Sequence, residues 1–351
     1  MGFNKGEWSE LYTFLHLLIN PHLEIVDEHL NLINSSTFQV IEIKLEDKTR
    51  YKIQKDKNIS KIIASGLEKV YLVDNIKDEK DILLDKILKH KKAKGSFEIK
   101  EIQSLIDDFL DGHKLKGNSK VKGDLEAEIL DRKRGSSFDL KYNIKSSLGS
   151  PATLLNASSH TNFIYEVSNI DDNIMRQNNA IKSRKKLLDR ANFLENSGAK
   201  ISFIKVQSDS FAYNLKMVDS NLDKLLADML YLSYKMNEKD IKKLIETIIK
   251  NKDEYNFYKK KIADFTNAVT FGMRASEKWN GTNEVNGGII IVTKTGKVYL
   301  LDLIYFKTIV DKYLIDNIKL DSPSSTRYKM FEIYKENGRY YFKLNLQVRF
   351  K

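Results

Sequence analysis

The sequence predicts a mixed α/β chain of the α+β kind, and three observations predict it. Apolar residues recur at helical spacing in several stretches, notably 7–19 and 220–250. Runs such as 38–45 and 123–146 alternate apolar with polar residues, the period of a strand with one buried face. The segments follow one another as helix, strands, helices, hairpin, strand, helices and strands, which is not the regular βαβ alternation of a doubly wound sheet.

The stretch 7–19, EWSELYTFLHLLI, carries Leu11, Phe14, Leu15 and Leu18 at helical spacing and predicts an amphipathic first helix. Strands are expected at 38–45 (FQVIEIKL) and 50–54. Three helical patterns are read at 59–73, 78–91 and 98–110, with a basic, exposed junction at 89–95 (KHKKAKG). A hairpin is expected over 123–146 and another strand over 162–168 (NFIYEVS). A long helical stretch is read at 170–196, followed by helices at 220–250 and 253–270. The first of that pair carries Leu222, Leu225, Leu226, Met229 and Leu230 on one face. The C-terminal part returns to β structure at 288–292, 297–303 and 340–350. The three prolines (Pro21, Pro151, Pro323) stand in no linker-like context, and neither an internal repeat nor a GxxxxGK[ST] phosphate loop occurs.

With 351 residues, the chain suffices for one large or two medium domains. An apolar fraction of 41% and an aromatic fraction of 10% exclude a disordered protein. Lysine and arginine number 59 against 48 acids, and the net charge of +11 favours a polyanionic partner bound in a salt-sensitive way. A lysine-rich proteome gives the same excess, so charge alone does not name that partner. The absence of cysteine excludes disulfides, thiolate nucleophiles and Cys-based zinc sites, and fits a reducing compartment. His16, His22, His29, His90, His113 and His160 show no HxxxH or HExxH spacing. The opening MGFNKGE lacks a signal-peptide core, and no apolar run reaches membrane-spanning length. A soluble cytoplasmic protein without a membrane role is expected.

The hairpin is the candidate site. In 124–130, Asp124, Glu126 and Glu128 share one face and Leu125, Ala127 and Ile129 the other. In 138–145, Phe138, Leu140, Tyr142 and Ile144 are apolar, and Asp139, Lys141, Asn143 and Lys145 face the opposite way. A turn over about 131–137 brings Asp124 beside Asn143 and Lys145. A magnesium ion uses a few anionic oxygens, waters and a substrate phosphate, and a neighbouring lysine can orient the attacking water. Alternating charges on facing strands equally make a solvated face of cross-strand ion pairs. The hairpin alone leaves both readings open. A first helix packed beside it would project Glu10 toward the same ion, with Glu7 as fallback, although a carboxylate at a helix start is more often a cap.

Three longer blocks resemble the HpaII family of type II restriction endonucleases: NKGEWSELY at the start, KSSLGSPATLLNASSHTNFIYE over 145–166, and SPSSTRYKMFEIYKENGRYYFKLNLQVRF at the end. They occur in family order and span most of the chain. The resemblance implies a PD-(D/E)xK restriction-endonuclease-like core, with a central mixed sheet flanked by helices and with helical and C-terminal β additions. It also implies a requirement for Mg2+ and cleavage of double-stranded DNA within CCGG. Residues 1–168 would form the nuclease core with its N-terminal helix and hairpin, and 169–351 would complete the fold and contribute DNA recognition. Gly123-Asp124 would stand for the "PD" and Asn143-Ile144-Lys145 for "(D/E)xK". Asp124 would then bind the metal and Lys145 would position the nucleophilic water. Gly123 replaces a proline that donates nothing to the metal. Asn143 replaces an acid, so its carbonyl ligates without charge and the missing anion is expected from Glu10, then Glu166, with Asp131 and Asp139 as alternatives.

For reading G·C pairs, arginine and lysine are the favoured types. The candidates are Arg274 and, toward the C-terminus, Arg327, Lys329, Arg339 and Arg349. Asn156 and Ser158 follow the catalytic strand and are read as facing DNA, against the alternative that they cap helices and turns. A cognate DNA methyltransferase is expected as genetic partner. A palindromic target admits a homodimer on DNA or a monomer that nicks each strand in turn. The rival reading is a non-catalytic or structure-specific DNA-binding protein on a nuclease scaffold, with Asn143 as a mark of decay.

Overall fold

The computed structural model describes residues 2–34, 36–45, 49–56, 59–65, 69–90, 95–110, 123–249 and 251–351. By internal contact the chain forms two compact units, Met1–Ala152 with Asn283–Tyr313, and Thr153–Thr282 with Leu314–Lys351. Among the described residues, no helix is long and apolar enough to cross a membrane.

The first half of the chain runs α1 (Lys5–Ile19), β1 (Ile25–Val26), β2 (Leu32–Asn34), β3 (Phe38–Lys44), β4 (Arg50–Asp56), β5 (Ile59–Ser65), β6 (Lys69–Leu72), α2 (Lys77–Lys89), α3 (Gln103–Leu110), β7 (Leu125–Asp131) and β8 (Ser136–Ser146). Then come β9 (Thr153–Leu155), β10 (Asn162–Ser168), α4 (Asp172–Ala180), α5 (Lys186–Asn196), β11 (Lys200–Val206), α6 (Asp209–Val218), α7 (Leu222–Lys235), α8 (Ile241–Ile248) and α9 (Lys252–Phe271). The chain ends with β12 (Gly288–Val292), β13 (Val298–Asp302), α10 (Lys307–Asn317), β14 (Ile318–Leu320), β15 (Tyr334–Glu336), β16 (Arg339–Asn345) and β17 (Val348–Phe350).

The first unit is built on a ten-stranded sheet in the order β2-β1-β13-β12-β8-β7-β3-β4-β5-β6. It is mixed: β8 pairs in parallel with β12 and β1 with β13, and the other ladders are antiparallel. The expected mixed sheet flanked by helices is therefore present. Strand β7 alternates buried and half-buried residues along its whole length, as LEAEILD dictates. On β8, Tyr142 is fully buried, and Gly287 is what admits its ring, because a Cβ there would stand 2.4 Å from Tyr142 Cε1. Helix α1 opens on a capping box in which Asn4 accepts the Gly6 and Glu7 N–H groups and Glu7 accepts the Asn4 N–H. It buries Trp8, Leu11, Phe14, Leu15 and Leu18 completely or nearly so, each contributing about 1.5–3 kcal/mol of transfer free energy. Glu7 is thus a cap.

Several expectations are corrected. The pattern at 59–73 is no helix. ISKIIAS forms β5 in an antiparallel ladder with β4, and β6 pairs antiparallel with β5, because Ile62 and Ala64 alternate inward while β-branched isoleucine favours the pleated surface. The stretch 170–196 is two helices parted at 181–185, and 220–250 is likewise divided at 236–240, where Asp240 caps α8 by accepting the Lys242 and Lys243 N–H groups. Strands β1, β2, β9, β11, β14 and β15 and helices α6 and α10 have no counterpart in the sequence reading. Of the basic junction 89–95, residues 91–94 lie outside the described residues, and His90 stacks on Phe97 at 3.6 Å between ring centroids.

The second unit contains a four-stranded antiparallel sheet, β11-β10-β16-β15, and a three-stranded one, β14-β17-β9. Its aromatic centre stacks Tyr165 on Phe342 at 5.1 Å and Phe342 on Phe331 at 4.7 Å.

Candidate active site

The β7–β8 register pairs Leu125 with Tyr142 and Asp131 with Ser136, so the turn is the shorter 132–135. One step beyond the ladder, the Asp124 N–H donates to the Tyr142 carbonyl at 2.8 Å, which puts Asp124 opposite Asn143. Its carboxylate is then fixed from β8: Oδ2 accepts the Ile144 N–H at 2.8 Å and lies 3.8 Å from Lys145 Nζ. That separation is too long for a direct hydrogen bond but short enough for a strong charge interaction. The two side chains are only 8% and 20% exposed, so water screens the pair poorly.

Gly123 supplies the bend that turns Asp124 inward. Its φ is +101°, a value proline cannot adopt. The space is adequate, since an added Cβ would meet only Val285 Cγ2 at 3.5 Å and Lys141 at 3.6 Å. Backbone conformation decides this residue.

The two sequence blocks quoted from the start and the middle of the chain meet here. The Ser9 and Ser146 hydroxyls are 2.8 Å apart, and Lys5 Nζ donates to the Leu148 carbonyl at 3.2 Å. These contacts hold α1 against the end of β8. Between them opens a cleft of about 450 Å³ whose walls include Lys5, Glu10, Asp124, Lys145 and Ser146. Asp124, Lys145 and Glu10 are therefore brought together. Asn143 is not part of this wall: it is buried, at 5% exposure, where β8 pairs with Ile289 of β12. Lys5 and Ser146 were not singled out by sequence reasoning, although both lie inside the resembling blocks.

The rest of the same hairpin face is a solvated one of cross-strand pairs. Glu126 pairs with Lys141 at 3.3 Å, Asp139 with Lys44 at 2.5 Å, and Glu128 accepts the Ser137 hydroxyl at 2.6 Å. Asp139 is thereby engaged away from the cleft. Asp131 is fully buried and serves the turn. Burial pushes its carboxyl up, but the Tyr305 hydroxyl at 2.5 Å and the Lys133 and Arg134 N–H groups outweigh burial and hold it below the usual carboxylate range. Glu166 belongs to the second unit, where Arg339 approaches it at 3.7 Å. Among the described residues, no group of three or more histidines or acids converges as a ready metal cage. The donors available in the cleft, two carboxylates, suit a hard divalent cation that keeps waters and takes substrate oxygens as further ligands.

The second unit has its own cleft, of about 740 Å³. Its walls include Arg327, Lys329, Lys343, Asn162, Gln207 and Glu332. Arg327 lies over the Tyr328 ring at 5.4 Å. The loop that presents Arg327 and Lys329 is held rigidly: Met330 and Phe331 are fully buried, the Phe331 N–H donates to the Lys343 carbonyl, and Arg190 donates to the Met330 carbonyl at 3.2 Å. Lys329 and Phe331 both have positive φ, +47° and +53°, a strained pairing for residues with side chains. The other candidates lie outside this cleft. Arg274 pairs with Glu277 at 3.2 Å, Arg339 with Glu166, and Arg349 with Asp321 at 3.4 Å. Asn156 is exposed, and Ser158 caps a short 3₁₀ turn by accepting the His160 N–H. Gln207 and Lys343 escaped the sequence reading. Nothing in the periodicity marks them, because their place depends on strands meeting in space.

The comparisons with known proteins bear on the whole chain. The profile of the HpaII restriction endonuclease family matches residues 4–350. The type II restriction enzyme HpaII of Haemophilus parainfluenzae is 32% identical over 356 residues, covering 99% of this chain and 98% of that relative. No solved structure matches. The chain belongs to the HpaII restriction endonuclease family.

Proposed function

We propose that the cleft between α1 and the end of the hairpin hydrolyses one phosphodiester bond of duplex DNA with Mg2+, and that the target is CCGG. Membership of the family makes the chain a type II restriction endonuclease, a site-specific deoxyribonuclease with double-stranded DNA as its substrate. The observation that carries the site assignment is the 3.8 Å approach of Lys145 Nζ to Asp124 Oδ2 in a cleft that Glu10 also lines.

Asp124 and Glu10 would hold the divalent cation, which when bound polarises the phosphate and acidifies a water. Lys145 holds the attacking water at Nζ and offsets the negative charge that grows on the phosphorane oxygens. Lys5, on the same wall, adds a second cation toward the substrate backbone. The water oxygen attacks phosphorus in line, the P–O3′ bond breaks, and O3′ takes a proton, which leaves a 5′-phosphate and a 3′-hydroxyl. In this reading Glu10 supplies the second anionic ligand that Asn143, at the motif position, does not.

In this reading the first unit cuts and the second, with Arg327 and Lys329, recognises. A cognate methyltransferase protects the host sites. The two-fold symmetry of the target is met by a homodimer on DNA or by one copy that nicks twice. Digestion of a sequenced plasmid with and without Mg2+ tests the proposal. Discrete fragments ending at CCGG are expected. Intact plasmid in both Mg2+ and Mn2+, with binding retained in a mobility shift, would overturn the enzymatic reading, and a sequence-independent ladder would overturn the target.

A further inference from the structure

We infer that Gln207 reads the acceptor edge of a guanine in the target, its amide polarity being fixed from behind by Asn345 and Asn162. The inference rests on the reading above, in which the second unit recognises a target of G·C pairs.

A backbone carbonyl sets the direction of the chain of amides. Asn345 is fully buried, and its Nδ2 donates to the Ser158 carbonyl at 2.6 Å and to Asn162 Oδ1 at 2.7 Å. Amide nitrogen and oxygen are ordinarily interchangeable by position, but a carbonyl only accepts, so Asn345 has one permitted orientation. Its Oδ1 faces the Thr161 hydroxyl at 3.3 Å, which agrees with that choice. Asn162, 6% exposed, must then turn Oδ1 to Asn345 and Nδ2 to the cleft, where it donates to Gln207 Oε1 at 3.0 Å. The Gln207 N–H donates to the Asn162 carbonyl at 2.8 Å and holds the pair in place. Gln207 is exposed, so its Nε2 remains to face the cleft as a donor. Inverting the Gln207 amide would set two NH2 groups against each other and leave a nearly buried donor unsatisfied.

With Oε1 engaged by Asn162 Nδ2, Gln207 presents its NH2 as a donor, and in a target made of G·C pairs the major-groove acceptors for such a donor are guanine N7 and O6. Arg327, Lys329 and Lys343 add donors to the same cleft. Glu332 and Glu336 also line it, and a carboxylate is an acceptor suited to the N4 amino group of the cytosine paired with that guanine.

The test is a cycle of protein and base changes. Duplexes carrying CCGG, with each guanine in turn replaced by 7-deazaguanine, are cut by the wild type and by Gln207→Ala, and kcat/KM is compared. The expected result is a loss of about tenfold, one hydrogen bond's worth, at one guanine for the wild type and no further loss there for Gln207→Ala. Asn162→Asp, which can no longer donate to Gln207, should invert that amide and abolish sensitivity to the same replacement, a readout that loss of packing alone would not move. If Gln207→Ala keeps the full tenfold sensitivity at every guanine, the inference is wrong. The same cycle is read as Kd by anisotropy without Mg2+. An uncut duplex that still binds with this pattern counts against the cleavage reading alone, and a duplex that does not bind overturns both.

Discussion

The two clefts are both polar and both carry lysines, yet their side chains are held by different means. In the first, Asp124 and Lys145 come from neighbouring strands and are set by the sheet: one ladder step fixes Asp124 opposite Asn143, and the Ile144 N–H fixes its carboxylate. In the second, Gln207 is set by a chain of buried amides that begins at the Ser158 carbonyl, and Lys329 by a loop with two positive-φ residues. A sheet register places charge to a fraction of a strand spacing, which hydrolysis requires. A polar relay fixes the direction of a donor, which recognition requires. The two devices also fail differently when a residue is changed.

The largest expected effects break the first cleft without touching the second. Asp124→Ala should reduce cleavage of a CCGG duplex more than about a thousandfold, and Lys145→Ala at least about a hundredfold, while Kd for the duplex stays within about threefold. Full activity in Asp124→Ala would show that the first cleft is not the hydrolytic centre. Gly123→Pro should cost about 3 kcal/mol or more in urea unfolding and abolish cleavage, because φ at +101° is closed to proline. A proline there that leaves both unchanged would refute the account of how Asp124 is aimed.

Glu10→Gln sharpens the comparison further. Removing one of two carboxylates should raise the Mg2+ concentration for half-maximal cleavage about tenfold and leave the rate at saturating Mg2+ less affected than in Asp124→Ala. A Mg2+ titration of both variants decides it.

Smaller effects are expected at carboxylates the fold has drawn away from the cleft. Asp131 has a folded-state value below its ordinary 3.8, so the stabilisation it supplies is fully present above 3.8 and lost as pH falls through the lower folded value. Tyr305→Phe removes one cause of that depression. It should lower the urea midpoint slightly at pH 7, with the difference closing below pH 3.8, and leave cleavage at pH 7 unchanged. The smallest change belongs to Arg274→Ala. Its exposed partner Glu277 makes the ion pair worth at most about 1 kcal/mol, and a site outside the second cleft should shift CCGG cleavage by less than about twofold.

How much of this was legible beforehand follows from which distances along the chain each feature spans. The alternation of LEAEILD and of FDLKYNIK announces its own faces, because a strand's period is two whatever surrounds it. The same rule misled at 59–73, where ISKIIAS carries isoleucines at spacings that satisfy a helix and a strand alike, and only pairing with β4 chose the strand. Asn143 was expected at the metal because it stands at a motif position. Its burial beside Ile289 depends on β12, which arrives from far along the chain.

By itself, the sequence determined the β7–β8 hairpin, the helix that carries Glu10 and the membership of the chain in its family, since periodicity and contiguous blocks are local properties of a chain. The tertiary structure alone decided which carboxylates share a cleft with Lys145, that Gly123 is a conformational requirement, and which way the amide of Gln207 points. Those features depend on strand register, a backbone angle and buried hydrogen bonds between distant residues, and each exists only once the chain has closed on itself.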